Sequence, residues 1–139
     1  MKSKKPALKR LLTSTQEDYL EAVLDLTTVK TVTRNKDLAD RLGVKRATVT
    51  RSIKALALKG LIDHETHGYI SLTEKGKEIA VEITSRHNFL NHFFRDILEL
   101  EKKEAEMIAC RVEHLISGKA LAKFKAFVDK VDKNIKEVR

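Results

Sequence analysis

The sequence predicts a mainly α-helical protein, with an N-terminal winged helix-turn-helix followed by a helical dimerisation domain. Three observations support this fold class. Residues 32–60 hold two amphipathic helix patterns joined by a glycine, the next stretch alternates as two short strands would, and the remainder repeats apolar residues at helical spacing. We therefore divide the chain into a basic N-terminal tail (1–13), a winged helix-turn-helix (14–73) and a helical domain (74–139).

The helix-turn-helix is the most distinctive segment of the chain. Its first helix is expected at about 35–42, with Thr33 as N-cap. Gly43 provides the turn, where a residue free to take positive φ is needed. The second helix follows at about 46–59. The expected inward residues of the pair are Leu38, Ala39, Leu42, Val49, Ile53, Leu56 and Leu58.

The outer face of the second helix indicates a partner of opposite charge. It is cationic or hydroxylated and has no acidic residue, whereas a solvated surface helix would normally mix signs. We interpret it as a recognition helix for a double-stranded DNA operator. An ordinary basic hairpin is the alternative. Base edges are assigned to Arg46, Thr48 and Arg51, and phosphates to Lys45, Thr50 and Lys54.

Residues 61–64 and 69–72 predict the two strands of a small hairpin, the wing, around a tip at 66–68. His67 at this tip is a candidate contact to the DNA backbone, or simply an exposed polar residue. The basic tail 1–13 is either solvated chain or an arm that adds phosphate contacts.

Composition excludes several classes of protein. A net charge of +8 with 35% charged residues fits a nucleic-acid binder better than a typical enzyme. No serine-histidine-aspartate signature or glycine-rich phosphate loop is recognisable, so we expect neither an enzyme nor a small-molecule substrate. No apolar run approaches the roughly 20 residues that span a bilayer, so no membrane association is expected. A single cysteine favours a reducing, cytoplasmic setting.

The helical domain predicts a homodimer. Its first helix, expected at about 74–98, carries more apolar residues than one partner face would cover. These residues are Ile79, Ala80, Ile83, Phe89, Leu90, Phe93, Phe94 and Ile97. A second helix is expected at about 101–115, with Met107 among its inward residues. A last amphipathic helix should fade into a charged tail from residue 129.

A cluster of metal-ligand residue types lies in the same domain. In Cys110-Arg-Val-Glu113-His114, helical spacing brings thiolate, carboxylate and imidazole near one face. His87 lies midway along the preceding helix. Two carboxylates of the N-terminal helix, Asp18 and Glu21, could close a site for a divalent metal. Spacing alone leaves purely structural roles open. Cys110 could be a small core residue, His87 a core histidine, and Glu113 half of an ion pair.

Several motifs together resemble the metal-dependent repressors of the diphtheria toxin repressor family. They are E-D-Y-L-E at 17–21, L-A-D-R-L at 38–42, L-T-E-K-G at 72–76, Arg86-His87 and C-R-V-E-H at 110–114. The similarity spans about residues 14–117. It is strongest to the short manganese-responsive branch, which lacks an SH3-like domain.

The resemblance implies a transcriptional repressor with six metal ligands: Asp18, Glu21, His87, Cys110, Glu113 and His114. Cys110 falls where the short branch has a glutamate and the iron-responsive branch a cysteine. The implied cofactor is therefore a divalent transition metal, Mn²⁺ or Fe²⁺ first, with Zn²⁺ or Co²⁺ as alternatives. Asn91 and Glu106 fall where the iron-responsive branch has a glutamate and a histidine in its ancillary site. Glu106 could still be a ligand, but a second metal is not predicted.

The implied metal bridges the DNA-binding and dimerisation domains, which fixes the separation of two recognition helices. The alternative hypothesis is a metal-independent winged-helix regulator that senses a small ligand or an oxidant through Cys110.

Overall fold

A computed structural model describes residues 12–65 and 68–138 of the chain. Most of the predicted basic tail therefore lies outside the described residues. The chain divides into two compact units at Thr84/Ser85, and each unit has buried apolar residues of its own. Within the described ranges, no helix has the length and apolar character that crossing a bilayer requires.

The first unit is the predicted winged helix-turn-helix. Its elements are α1 (Ser14–Val29), β1 (Thr33–Arg34), α2 (Asn35–Leu42), α3 (Arg46–Leu58), β2 (Ile62–His64), β3 (Tyr69–Leu72) and the start of α4 (Glu74–His92). The strands form one antiparallel sheet in the order β1-β3-β2. The wing hairpin was predicted, and β1 was not.

Side-chain caps fix where the first two helices begin. Thr13 and Gln16 form a capping box at the start of α1, each side chain bonded to the other's backbone amide. At α2, the N-cap is Arg34, whose amide donates to Asp37. The prediction of Thr33 as N-cap was wrong, because this residue is buried and paired in β1. Hydrogen bonds from Lys30 and the Arg34 amide lower the pKa of Asp37.

The turn and the core of the helix pair follow the sequence pattern closely. Gly43 has φ +66°, so the predicted need for positive φ is confirmed. Val49, Ile53 and Leu56 of α3 are fully buried. The prediction for Leu58 was wrong, since it is 90% exposed. Leu58 lies two residues beyond Leu56, which on a helix turns its side chain to the opposite face.

A close backbone approach joins the wing to α4. The Thr73 hydroxyl donates to the Gly60 carbonyl and accepts from the Gly76 amide. The Thr73 amide donates to the Leu61 carbonyl. A Cβ at Gly76 would lie 1.9 Å from that same carbonyl oxygen. Position 76 therefore requires glycine, because a larger residue would clash with the Leu61 carbonyl.

The second unit is helical. It contains the remainder of α4, a π-helical segment (Phe93–Ile97), α5 (Lys102–Val112) and α6 (Gly118–Val138). Its buried apolar residues are Leu90, Ala105, Ala109, Leu121 and Val128. The predicted fading from residue 129 was wrong, because α6 stays helical to Val138. Met107, expected to face inward, is 55% exposed.

The last helix covers part of the apolar surface on which the dimer was predicted. Phe124 of α6 packs edge-to-face against Phe89 at 5.1 Å and Phe93 at 4.7 Å between ring centroids. These two rings therefore have a partner within the chain. The inference from them to a second copy was incomplete, so dimerisation needs independent support.

A histidine also joins α4 to α6. Nδ1 of His92 lies 2.8 Å from Oδ2 of Asp96, and Nε2 lies 3.1 Å from Oδ2 of Asp132. The hydrogen bonds to Asp96 and Asp132 raise the pKa of His92 above its ordinary value of 6.5. Its protonated form therefore stabilises the packing of α6.

Candidate metal centre and DNA-binding surface

Four of the six predicted metal ligands lie in the second unit. His87 is on α4, Cys110 is near the end of α5, and Glu113 is the C-cap of that helix. His114 follows in the turn after the cap. Helical spacing places the residues of α5 and its cap near one face, as the sequence predicts. The contacts of His87 on α4 then decide whether these side chains form one site.

His87 is the centre of this cluster. Its Nδ1 lies 2.6 Å from Oε1 of Glu113 and 3.8 Å from Sγ of Cys110. The His87 side chain is 11% exposed and that of Glu113 only 1%. His114 adds an imidazole, with Nε2 3.9 Å from Oε2 of Glu113. Two imidazoles, a thiol and a buried carboxylate thus converge.

Glu106 joins the cluster, although it was not among the predicted ligands. Its Oε1 lies 3.0 Å from Nε2 of His87. His87, Glu106 and Cys110 each offer one ligand atom, and these three atoms lie within 4.8 Å of one another. The signal was present in the sequence, because Glu106 is four residues before Cys110 and shares its helix face.

These donors fit a divalent transition metal. Imidazole, thiolate and carboxylate are the side chains that bind first-row divalent ions. Oε2 of Glu113 is buried, and within the described part of the chain no hydrogen-bond partner lies on it. A buried carboxylate oxygen without a hydrogen bond is costly unless a proton or a cation satisfies it. The residues present therefore fit a metal.

The remaining predicted ligands, Asp18 and Glu21, belong to α1 of the first unit. They are three residues apart and share a helix face, Asp18 exposed and Glu21 half-buried. Glu17, beside them, is buried. The joining of this pair to the histidine cluster stays a prediction.

The predicted DNA-binding residues lie on or beside α3. Lys45 is its N-cap residue, and the four cationic side chains are all exposed: Lys45, Arg46, Arg51 and Lys54. Thr48 is half-buried. His67, assigned to the wing tip, lies outside the described residues.

Thr50 has a structural contact that sequence reasoning missed. Its hydroxyl donates to the carbonyl of Arg46 at 3.0 Å and accepts from Nδ2 of Asn35 at 2.8 Å. Asn35 also donates to the Arg46 carbonyl at 3.3 Å. The first residue of α2 is thereby bonded to the first turn of α3. No local pattern links residues 35 and 50, so only the tertiary fold reveals it.

A winged helix with a cationic second helix, followed by a helical unit that holds imidazole, thiol and carboxylate together, defines a metal-responsive DNA-binding regulator. Comparison with known proteins agrees. Residues 11–70 match the family model of the iron-dependent repressor N-terminal DNA-binding domain. Residues 73–137 match the model of the iron-dependent repressor metal-binding and dimerisation domain.

Individual proteins give the same assignment. An uncharacterised HTH-type transcriptional regulator of Methanocaldococcus jannaschii is 35% identical over 82% of this chain and 92% of its own length. The transcriptional regulator MntR of Escherichia coli O6:H1 is 33% identical over 82% of this chain and 73% of its own. A solved manganese-dependent transcriptional repressor in complex with manganese is 30% identical, with a TM-score of 0.75. That match covers 82% of this chain and 52% of the solved one, so the chain spans about half of its length.

The chain therefore belongs to the iron-dependent repressor family, the family that its motifs resemble. It carries the family's DNA-binding domain and its metal-binding and dimerisation domain, the two parts of a metal-dependent transcriptional regulator. The match of residues 73–137 to the metal-binding and dimerisation domain also supports dimerisation independently of the phenylalanines of α4.

Proposed function

We propose that this chain is a metal-responsive repressor that binds a double-stranded DNA operator as a homodimer when a divalent transition metal is present. The observation that carries the proposal is the convergence of Nδ1 of His87, Sγ of Cys110 and Oε1 of Glu113 in the second unit. The cationic, exposed face of α3 supports the DNA-binding half of the proposal.

The proposed ligands are those expected from the sequence: Asp18, Glu21, His87, Cys110, Glu113 and His114. A bound cation would supply positive charge and a crosslink between α1 and the second unit. Four of these groups are anionic when Cys110 is a thiolate, and like charges at close range repel. Without the cation, this repulsion would disfavour attachment of α1 to the second unit.

Loose attachment of α1 accounts for regulation because α1 packs against the DNA-binding helices in the first unit. A two-fold dimer must hold its recognition helices about one helical turn of DNA apart, or a multiple of it. A metal-free dimer would sample many separations, of which few fit. Metal raises the fitting fraction, and DNA must reciprocally tighten metal binding.

The donor set restricts the choice of metal. Three carboxylates favour Mn²⁺ and Fe²⁺, while a thiolate and two imidazoles shift preference towards Fe²⁺, Zn²⁺ and Co²⁺. We place Mn²⁺ and Fe²⁺ first and retain Zn²⁺ and Co²⁺. Replacing Cys110 by glutamate should move the preference towards Mn²⁺, which metal-competition titrations would measure.

On the DNA side, Arg46, Thr48 and Arg51 are proposed to contact base edges, with Lys45 and Lys54 on phosphates. Arg51→Ala should relax sequence specificity if Arg51 contacts a guanine edge. A loss that is uniform across all sequences, with a smaller dependence on salt, would assign it to phosphate.

The test uses Glu113→Gln, which keeps the shape of the side chain and removes its charge. Duplexes that the parent retains from a random-sequence pool in the presence of Mn²⁺ or Fe²⁺ serve as the DNA. We expect parental binding to collapse on adding a chelator and to return with metal. Glu113→Gln should bind these duplexes weakly with or without metal, while sedimentation still shows a dimer.

Glu104→Gln is the matched control, because Glu104 lies on the same helix, is exposed and loses the same charge. It should behave as the parent does. Equal DNA affinity of Glu113→Gln and the parent, in both metal-loaded and metal-free protein, would refute the proposal.

A second candidate function is a regulator that also binds DNA through α3 but needs no metal. It would instead sense an oxidant or a small ligand through Cys110. The observation that favours it is the exposed thiol 3.8 Å from an imidazole nitrogen. Operator binding that persists in a chelator and is lost on mild oxidation would select this function.

Both functions are regulatory, so we propose a regulator and not an enzyme. We also propose a cytoplasmic location, because a single cysteine favours a reducing setting and a DNA operator would be reached there.

A further inference from the structure

A buried arginine contacts the main chain of the turn that carries two proposed ligands. Arg86 is 4% exposed. Its Nη1 donates to the carbonyl of Glu113 at 2.8 Å and to that of Ile116 at 3.3 Å. Arg86 therefore spans the turn that leaves the C-terminus of α5, from its first residue to its last.

This position suits a cation. The last carbonyls of a helix have no partner within it, and they carry the negative end of the helix dipole. A guanidinium presents several donors in a fixed plane, so one side chain can hold two carbonyls at once. Burying its charge is costly, and these bonds offset part of that cost.

Arg86 and its neighbour hold the same residue at two points. Arg86 bonds the main-chain carbonyl of Glu113, and His87 bonds the carboxylate of that residue at 2.6 Å. The main-chain bond fixes where the Cα of Glu113 lies, and hence where its carboxylate and the adjacent His114 begin. A ligand tied only at its carboxylate would leave the turn free to move.

We propose that Arg86 is a positioning residue for the metal centre: it holds the 113–116 turn so that Glu113 and His114 are preset before a cation arrives. The inference rests on the proposed function. Partners that orient metal ligands without touching the metal commonly contribute 10- to 100-fold in affinity. We expect a loss in this range when Arg86 is removed.

The test titrates the 139-residue chain with Co²⁺. The visible absorption of bound Co²⁺ reports coordination geometry, and its near-ultraviolet band reports a bound thiolate. Arg86→Met keeps most of the volume and removes the donors. It should raise the Co²⁺ dissociation constant by about 10- to 100-fold and change the visible spectrum at saturation. Arg86→Lys keeps a charge and donors, so it should recover part of the affinity and the parental spectrum.

Val128→Ala is the control for a purely structural role. Val128 is buried in α6 of the same unit, and its truncation should destabilise that unit without touching the turn. Hydrogen exchange in metal-free protein supplies a second readout. Amides of residues 113–117 should exchange faster in Arg86→Met than in Val128→Ala at matched overall stability.

The outcomes separate this inference from the metal centre itself. An Arg86→Met chain that binds Co²⁺ as tightly as the parent, with the same spectrum, overturns the inference alone. So does a Val128→Ala chain that loses as much affinity, because Arg86 would then act only through stability. A parent that takes up no Co²⁺ overturns the metal centre and, with it, this role.

Discussion

Replacing Thr50 by valine separates a structural role from a DNA contact. The substitution keeps the branched shape and removes the hydroxyl, which makes two hydrogen bonds, at 2.8 Å to Asn35 and 3.0 Å to Arg46. Each such bond contributes about 1 kcal/mol net. The bond to Arg46 is of the i−4 type, which slightly strains a helix, so its loss is partly offset. We expect the first unit to lose about 1 kcal/mol of unfolding free energy.

Tyrosine fluorescence in a urea titration measures this change selectively. The chain has no tryptophan, and its two tyrosines, Tyr19 and Tyr69, both lie in the first unit. Thr48→Val, two residues earlier in the same helix, is the matched control. It should leave stability within about 0.5 kcal/mol and instead lower discrimination between DNA sequences.

The result that refutes this reasoning is a Thr50→Val protein as stable as the parent but with weaker binding to every duplex. Such a protein would show that the Thr50 hydroxyl donates to phosphate, as the sequence pattern first suggested, and that the bond from Asn35 is dispensable.

Three further predictions follow from other contacts. Gly76→Ala should destabilise the first unit by about 1–3 kcal/mol, because the added Cβ displaces the Leu61 carbonyl; a urea midpoint equal to the parent's would contradict this. His92→Gln should lower stability below pH 6.5, with the difference from the parent shrinking as pH rises through the raised pKa of His92, since only the protonated ring donates to both Asp96 and Asp132. Unfolding titrations at several pH values above about 4.5 measure it, and a pH-independent difference would refute it. Cys110→Ser should abolish the near-ultraviolet thiolate band of the Co²⁺-loaded protein; its persistence would exclude sulfur ligation.

Much of the winged helix was predictable because its signals are local. Gly43 lies between two amphipathic runs, and the wing strand Tyr69–Leu72 alternates with the period of a sheet, so both appear where expected. Strand β1 was not predictable. It has two residues, and Thr33 becomes a strand residue only through its pairing with Ile70, far along the chain. A short-range cap was therefore the natural, and wrong, expectation for Thr33.

In the second unit, spacing identified which residues share a helix face but not which of those faces are covered. Met107 has the right position in the pattern to face inward and yet is 55% exposed. The contact between Glu106 and His87 joins two helices, and its orientation is set by packing that a single helix pattern does not contain. The backbone bond from Arg86 to Glu113 has no sequence signature for the same reason.

His87 has a consequence for selection among ions. Its two ring nitrogens face Glu113 and Glu106, which are seven residues, or about two helical turns, apart along α5 and its cap. The ring therefore connects α4 to α5 and its cap. An incoming ion must form a bond to a ring nitrogen that is strong enough to replace one of these contacts. Mg²⁺ and Ca²⁺ prefer oxygen and bind imidazole poorly. We therefore expect the site to disfavour Mg²⁺ and Ca²⁺ relative to transition-metal ions.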